Sequence, residues 1–255
     1  MKHKLSAIIL TAMLLLFACN GYSESSTYYT EQPTFHDIAE SHTVSFFTYG
    51  ITFNMPYRLY VPEDISGPHP VLLFLHGAGE RGDDNINHVT ANSYLLDRLV
   101  GEYSETYPAI IIAPQCPPEE WWSFGILTEI MNLIDDVIDR YDGDPNRIYV
   151  TGLSMGGYGT FTLLELFPDR VAAAVPICGG GDPDTAHYFA DVPIWIFHGA
   201  QDDIVDVNYS RNMAAALRAL GSDVIYTEYP DVDHYSWVPA YNDPDLLSWM
   251  FGQSR

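Results

Sequence analysis

Short continuous apolar runs that alternate with helical stretches are the feature that most limits how this chain can fold. The runs lie at Val71–Leu75, Ala109–Ala113, Ile148–Val150, Val171–Ile177 and Val192–Phe197. Strands that are apolar on both faces are typical of buried parallel sheets. Helical patterns fall between or after the runs, at about residues 90–100, 124–141, 155–167 and 207–220. This alternation predicts a mostly parallel sheet with helices on both faces.

Two segments near the beginning of this pattern read as an antiparallel pair at the edge of the sheet. Thr43–Tyr49 and Met55–Val61 alternate apolar and polar residues, which is typical of strands with one buried face. At the other end, Asp223–Tyr229 reads as a last strand and Pro244–Phe251 as a last helix. The predicted sheet therefore has about eight strands, and right-handed crossovers fix most of its topology.

The first residues read as an export signal. Lys2 and Lys4 precede an apolar run, Ala7–Phe17, which is too short for a stable transmembrane span. Residues 16–19, Leu-Phe-Ala-Cys, resemble a bacterial lipobox, in which the chain is cut before a cysteine that carries lipid; the alternative is an ordinary signal peptide with a chance cysteine. We predict a signal peptide at 1–18, lipidation of Cys19, a polar tether at 19–42 and one folded domain at 43–255.

Charge argues against several kinds of partner. Both lysines lie before Cys19, and the rest of the chain has nine arginines against 34 acidic residues, a net charge of −25. Such a surface repels nucleic acid and anionic membranes. We therefore expect no nucleic-acid partner, and membrane contact only through an N-terminal lipid. The export signal in turn predicts an extracytoplasmic protein, either lipid-anchored or secreted. A salt-rich habitat and a lineage bias in composition explain the acidity equally well.

A G-x-S-x-G motif at Gly152–Gly156 indicates a catalytic serine. It follows a predicted strand directly and opens the helix that runs to Phe167. In that setting a serine sits on a strained turn with its hydroxyl lifted clear of the sheet, and flanking glycines avoid clashes. The helix N-terminus also favours a developing negative charge nearby. We predict Ser154 as a nucleophile; the alternative is a serine that only caps the helix.

A serine hydroxyl needs a base, and with this turn the chain order is serine, acid, histidine. His234 follows the last predicted strand, where the base belongs. His198 ends a strand instead, and His187 lies in a loop without an evident partner.

The acid that orients the base should follow the strand that ends at Phe197. Asp202 lies in the turn just beyond that strand, Asp203 is a close competitor, and Asp206 is placed to cap the next helix. At least two of the three are expected to be solvated loop acids.

An oxyanion needs two backbone N–H donors about 3 Å away. Met155, the residue after the nucleophile, should supply one. The other should come from the Gly-rich loop His76–Gly82, where Ala78 is favoured and Gly79 comes next. This arrangement is that of the α/β-hydrolase fold, with a mostly parallel, twisted sheet and helices on both faces.

Five motifs together resemble one group of proteins with this fold. The motifs are residues 76–82 (HGAGERG), 113–117 (APQCP), 152–157 (GLSMGG), 198–202 (HGAQD) and 234–237 (HYSW). They resemble the secreted carboxylesterases related to polyhydroxybutyrate depolymerases and to feruloyl and acetyl-xylan esterases, over residues 45–252. The resemblance implies ester hydrolysis by a triad of Ser154, Asp202 and His234, with oxyanion donors at Ala78 and Met155. It favours Asp202 because the family places its acid four residues after the histidine of His-Gly.

Aromatic residues near the predicted site suggest substrate contacts. Trp121 and Trp122 follow the strand Ala109–Ala113, and Trp237 lies three residues after His234. They could stack on a phenolic acyl group, a sugar ring or an aromatic polyester unit, or else pack the loops under the site. Gln115 is expected either to bind substrate or to fix its Pro-rich turn.

Two cysteines, Cys116 and Cys178, remain in the predicted domain. The strand order usual for this fold puts three inter-strand steps between them, about 14 Å, whereas a disulfide needs Cα atoms within about 7 Å. We expect two free, mostly buried thiols. The histidines show no metal-ligand spacing such as H-E-x-x-H, so neither a metal nor a cofactor is expected.

Two other functions use the same fold. A serine peptidase of the prolyl oligopeptidase type shares this catalytic domain, but its relatives usually carry a propeller, for which this chain has no room. A non-catalytic binding lipoprotein would be expected to have lost a member of the triad.

Overall fold

The computed structural model describes residues 33–48, 51–63 and 67–255. The predicted signal peptide, Cys19 and the tether up to residue 32 lie outside the described residues. The strands are β1 (Glu40–Thr48), β2 (Ile51–Tyr60), β3 (His69–Leu75), β4 (Ile110–Pro114), β5 (Gly143–Leu153), β6 (Ala173–Ile177), β7 (Trp195–Gly199) and β8 (Ile225–Tyr229). The helices are α1 (Phe35–Ile38), α2 (Asn87–Thr90), α3 (Tyr94–Val100), α4 (Phe124–Tyr141), α5 (Met155–Leu166), α6 (Asn208–Ala219), α7 (Trp237–Tyr241) and α8 (Leu246–Phe251).

The described strands form a sheet of eight in the order β1-β2-β4-β3-β5-β6-β7-β8. β1 runs antiparallel to β2, and β2 antiparallel to β4. The remaining neighbours are parallel. The predicted sheet with an antiparallel edge pair is therefore confirmed. Because parallel strands point the same way, the carboxyl ends of β3 to β8 meet at one edge, where ligand sites form in such folds.

Both faces of the sheet are buried, which explains why its strands are apolar without alternation. In β3, Val71, Leu73 and Leu75 belong to a core that includes side chains of α4, α5 and α6. Leu72 and Phe74 point to the other face and belong to a core with α1, α3, α7 and α8. One strand thus contributes to two cores, as successive side chains of a strand must.

The folded region begins earlier than the predicted boundary at residue 43. Helix α1 and the first residues of β1 occupy the segment 35–42, which was predicted as the end of the tether. Phe35 is fully buried in the core beside α3, and its amide donates to Asp97 Oδ1 at 2.8 Å. A four-residue helix is too short to show helical periodicity in the sequence, so the prediction missed it. The burial of Phe35 is what makes this segment part of the folded domain.

The helices also differ from the predictions in detail. The predicted helix at 90–100 is two helices, α2 and α3, separated by a turn that contains Asn92. Helix α7, which follows the predicted base, was not anticipated. Ala78–Glu80 and Pro183–Tyr188 form short 3-10 turns. In the described part of the chain, no helix combines the length and the apolar character needed to cross a bilayer.

Candidate active site

Ser154 lies on a strained turn between β5 and α5. Its backbone angles are φ 53° and ψ −115°, a combination that non-glycine residues rarely adopt. The turn is held from the neighbouring strand, because the Ser154 amide donates to Ile177 O at 2.9 Å and faces Cys178 Sγ at 3.3 Å. Gly156 cannot be larger, since a Cβ there would lie 1.9 Å from Leu75 O. The strand–turn–helix context expected for the motif is present.

A hydrogen-bond chain joins three of the predicted residues. His234 Nε2 lies 2.9 Å from Ser154 Oγ, and His234 Nδ1 lies 2.7 Å from Asp202 Oδ2. An ionised carboxylate can only accept, so Nδ1 carries the proton and Nε2 is free to accept from the serine hydroxyl. The three side chains come from the ends of β5, β7 and β8, which only the folded sheet brings together.

Asp202 is fully enclosed and well supplied with donors. Oδ1 accepts from the amides of Ile204 at 2.9 Å and Val205 at 2.8 Å, and Oδ2 accepts from His234 and from His198 Nε2 at 3.1 Å. Burial raises the pKa of the Asp202 carboxyl, but the hydrogen bonds from His234 and the two amides outweigh it, so the pKa lies below its usual range. Asp202 therefore remains ionised beside the imidazole.

The two competing acids lie elsewhere. Asp203 is exposed, and Asp206 Oδ1 accepts from the Asn208 amide at 2.9 Å, just before α6, whose cap residue is Val207. His187 is also exposed and hydrogen-bonds to the carbonyl of Asp184. Of the alternatives left open by the sequence, the structure brings only Asp202 to His234.

His198 is a site residue whose role the sequence did not reveal. Its ring is buried, with Nε2 between Asp202 Oδ2 and Val205 O at 3.0 Å, and Nδ1 2.7 Å from Ser210 Oγ. Burial lowers the pKa of His198, so the ring stays neutral and orients the carboxylate without adding charge. Its place four residues before Asp202, at the end of a strand, is the signal that could have indicated this role.

The loop after β3 presents the second predicted oxyanion donor. His76 Nδ1 donates to Gly77 O at 2.6 Å, and His76 Nε2 accepts from the Cys116 amide at 2.9 Å. Fixing the Gly77 carbonyl fixes the peptide plane whose N–H belongs to Ala78, and that N–H points the opposite way. Within the described residues, neither the Ala78 nor the Met155 amide has a hydrogen-bond acceptor. Burial lowers the pKa of His76 to about 3, so this ring remains neutral.

The predicted substrate contacts divide into one exposed and three buried side chains. Trp121 is 47% exposed. Trp122 is buried and donates to His76 O at 3.0 Å, and Trp237 is 5% exposed and donates to Asn92 Oδ1 at 3.0 Å. Gln115 is fully buried and bridges Asn85 N, Glu80 O and Asp84 Oδ1. The expectation of substrate contact is thus corrected for Trp122 and Gln115, because both are enclosed by the loops they hold together.

Both described cysteines are free and buried, as predicted. Cys116 follows β4 and Cys178 follows β6, three steps apart in the sheet. Burial raises the pKa of each thiol to about 12, so neither is a ready nucleophile. In the described part of the chain, Cys178, Asp202 and His234 could together hold a metal ion, their ligand atoms lying within 4.8 Å of one another. The hydrogen bond between Asp202 and His234 already occupies two of those atoms.

Comparison with known proteins identifies a family model and a solved structure that are similar to this chain. Residues 119–241 match the Dienelactone hydrolase family. A solved thermostable esterase is 39% identical, with a TM-score of 0.78 over 84% of this chain and 63% of that one. The chain has the α/β-hydrolase fold. The resemblance of this chain to carboxylesterases, indicated by its motifs, is confirmed.

Two curated relatives of this chain are more distant. An uncharacterized secreted protein of Arthroderma benhamiae is 29% identical over 77% of this chain, and acetylxylan esterase A of Emericella nidulans is 26% identical over 49% of it. This chain spans 24% and 42% of their respective lengths. The activity and substrates of those larger proteins therefore carry over only as proposals.

Proposed function

We propose that this protein is a serine hydrolase of carboxylic esters, with Ser154 as nucleophile, His234 as base and Asp202 as the orienting acid. The observation that carries the proposal is the unbroken hydrogen-bond chain from Ser154 Oγ through the imidazole to Asp202, at 2.9 and 2.7 Å. Each group has the partner its role needs: the serine has an acceptor, the imidazole a fixed tautomer, and the carboxylate four donors.

The proposed reaction proceeds in two acyl transfers. His234 Nε2 takes the Ser154 proton as Oγ attacks the ester carbonyl carbon, and the carbonyl oxygen becomes an oxyanion. The protonated imidazole then gives its proton to the departing alcohol, which leaves an acyl-serine. A water molecule repeats the sequence on this ester, releasing the acid and restoring the serine hydroxyl.

The oxyanion is assigned to the Met155 and Ala78 amides. Met155 is the first residue of α5, whose N-terminus favours negative charge. Ala78 belongs to the peptide plane that His76 holds through the Gly77 carbonyl. Because both donors belong to the backbone, alanine substitution cannot remove either of them.

The proposed substrates are acetyl-xylan, feruloyl or polyester-type esters, in keeping with the relationship to esterases. Among the predicted tryptophan contacts, Trp121 has the exposed ring, which is available to stack on a phenolic or sugar ring. Hydrolysis rates on short p-nitrophenyl esters, methyl ferulate and acetylated xylan would rank these classes. A peptidase would instead cleave peptide anilides at comparable rates, which would overturn the assignment to esters.

Active-site labelling tests the nucleophile directly. A fluorophosphonate should label the folded protein at Ser154, identified by peptide mapping, and Ser154→Ala should lose both labelling and about 10³-fold or more of the turnover number. The variant should keep the wild-type melting temperature, because it removes only one oxygen. A folded wild-type protein that takes no label would favour a non-catalytic binding protein.

We also propose that the protein acts outside the cytoplasm, anchored through lipid on Cys19. The support is the sequence at 16–19 and the polar segment that follows it. Expression with an alkyne-tagged palmitate should label the wild-type protein in the membrane fraction, whereas Cys19→Ser should be unlabelled. Equal labelling of both would contradict the anchor.

A further inference from the structure

A second hydrogen-bonded network, which does not include Asp202, ends at the ring of His234. Glu80, in the loop after β3, accepts from Asn92 Nδ2 at 3.0 Å through Oε1. Asn92, in the turn between α2 and α3, accepts from Trp237 Nε1 at 3.0 Å through Oδ1. Trp237 begins α7, and its indole meets the His234 ring edge-on, with centroids 5.5 Å apart and an interplanar angle of 88°. The network joins loops that follow β3 and β8, which lie four steps apart in the sheet.

The Glu80 end of the network contacts the loop after β3, which presents the Ala78 amide. A Cβ at Gly77 would lie 2.9 Å from Glu80 Oε2, so the carboxyl packs against the backbone just before Ala78. Oε2 is enclosed and has no hydrogen-bond partner within the described residues. Beyond it, Arg81 Nε donates to Ala78 O at 3.0 Å and Arg81 Nη1 to Glu120 O at 3.2 Å. The loop is therefore held on both sides of the peptide that presents the Ala78 amide.

The Trp237 end of the network contacts the proposed base, His234. The indole is 5% exposed, so its position is set by packing and by the single donor Nε1. An edge-on aromatic contact restricts rotation of the imidazole about its Cβ–Cγ bond. Asp202 and Ser154 hydrogen-bond to the two ring nitrogens, and Trp237 adds an edge-on aromatic contact to the same ring.

We propose that Glu80, Asn92 and Trp237 are positioning residues that set the spacing between the Ala78 oxyanion donor and the His234 ring. The inference rests on the proposed function, since it assigns these residues to the same reaction. Oxyanion stabilisation and proton transfer occur in one transition state, so an error in their relative placement lowers kcat rather than substrate affinity. In this role the three residues act on the reaction through the loop and the ring that they hold.

The test is steady-state kinetics on the full chain with p-nitrophenyl acetate, normalised to sites labelled by fluorophosphonate. Glu80→Ala and Asn92→Ala should each lower kcat by about 10- to 100-fold with KM unchanged within about twofold, a smaller loss than deletion of an oxyanion donor. Glu80→Gln should restore kcat to within about threefold of wild type, because its amide oxygen still accepts from Asn92. Asp83→Asn removes an exposed carboxylate from the same loop and should leave kcat unchanged.

A double-mutant cycle decides whether the residues act as one unit. Trp237→Phe keeps a ring beside His234 but removes the indole donor, and it should lower kcat to a similar degree. Combined with Glu80→Ala, it should cost no more than the larger single loss. Wild-type kcat in Glu80→Ala and Asn92→Ala, or losses that multiply in the double variant, would overturn the inference. If Glu80→Ala does not fold, Asn92→Ala and Trp237→Phe give the same decision.

The outcomes separate this inference from the proposed function. An active wild-type protein and an inactive Ser154→Ala variant, together with fully active network variants, would refute the positioning role alone. A wild-type protein with neither turnover nor label would overturn both. A melting temperature that falls while kcat per labelled site stays constant would identify the network as a structural support only, and would also refute the inference.

Discussion

The carboxylate of Asp202 illustrates how much of this site is decided by individual atoms. Three acids lie within five residues of one loop, at 202, 203 and 206, yet only the Asp202 side chain is enclosed, and its four donors come from two histidines and two amides. Asp203, one residue later, is exposed. Adjacent positions in this loop thus have opposite environments.

Substitution of these two acids gives a sharp comparison. We expect Asp202→Asn to lower kcat/KM by about 10³-fold or more, because an amide leaves the imidazole in the wrong tautomer. Asp203→Asn removes the same charge one residue away and should stay within about twofold of wild type. Kinetics on p-nitrophenyl acetate measure both variants. Equal losses, or a larger loss for Asp203→Asn, would refute the assignment of the acid.

Buried histidines give the fold a dependence on pH. Burial lowers the pKa of His88 to about 4 from its ordinary 6.5, and its Nε2 donates to Ala113 O at 3.0 Å. Between those values the unfolded chain binds more protons than the folded one, so stability present above pH 6.5 is lost as the pH falls. His76 acts in the same direction.

The contribution of His88 can be isolated by substitution. His88→Gln keeps a donor for Ala113 O but cannot titrate. The change in the free energy of unfolding between pH 7 and pH 5 should be smaller by about 2 kcal/mol in this variant than in wild type. Urea unfolding at the two pH values measures it. His187→Gln, at an exposed position, should follow the wild type, and a pH dependence that is the same in all three proteins would contradict the prediction.

At the scale of elements, helix α1 shows that a short segment can belong to the core. Thr34 and Asp37 form a capping box at its start, and the carbonyl of Ala39 just after it accepts from Arg58 Nη1 at 3.0 Å. The helix is only one turn long and cannot be stable alone. Its anchor is Phe35, which is fully buried.

The anchor can be tested against a neighbour in the same helix. Phe35→Ala should lower the free energy of unfolding by about 3 kcal/mol, because it leaves a cavity under β2 and α3. Ile38→Ala, at a position that is 38% exposed, should cost less than about 1 kcal/mol. Urea unfolding of both variants gives the comparison. A small, equal effect would mean that the segment is a tether, as the sequence suggested.

At the scale of the whole molecule, the acidic surface is the dominant property. The chain after Cys19 has nine arginines against 34 acids. The ion pairs that do form are mostly at the surface, such as Arg211 with Glu228 at 2.7 Å, and pairs of this kind add little stability. Most of the negative charge is therefore balanced only by solvent ions.

Salt should stabilise this protein. Raising NaCl from 0.05 to 1 M shortens the Debye length to about 3 Å and screens the repulsion between carboxylates. We expect a melting temperature higher by several degrees at high salt, measured by calorimetry at pH 7. A melting temperature that stays constant or falls would show that self-repulsion is not a significant cost for this fold.

Much of the fold could be predicted from local patterns, because they report burial. The runs at Val71–Leu75 and Ala109–Ala113 are apolar on both faces, and this alone indicated interior parallel strands. The G-x-S-x-G motif indicated the turn at Ser154 because only glycine fits at the motif's first and last positions, Gly152 and Gly156. Chain order placed His234 after the last strand.

Other features depend on contacts between distant residues and left no local trace. Nothing in the sequence separates Trp122, enclosed beneath the His76 carbonyl, from exposed Trp121 next to it. The same is true of Gln115 and Phe35, whose roles follow from partners elsewhere in the chain. The sequence by itself determined the order of the strands along the chain, the longer helices and the nucleophile turn, since steric limits act within a few residues. Only the tertiary structure decided which acid, which tryptophan and which loop network surround Ser154, because burial and hydrogen bonding depend on what packs across the sheet edge.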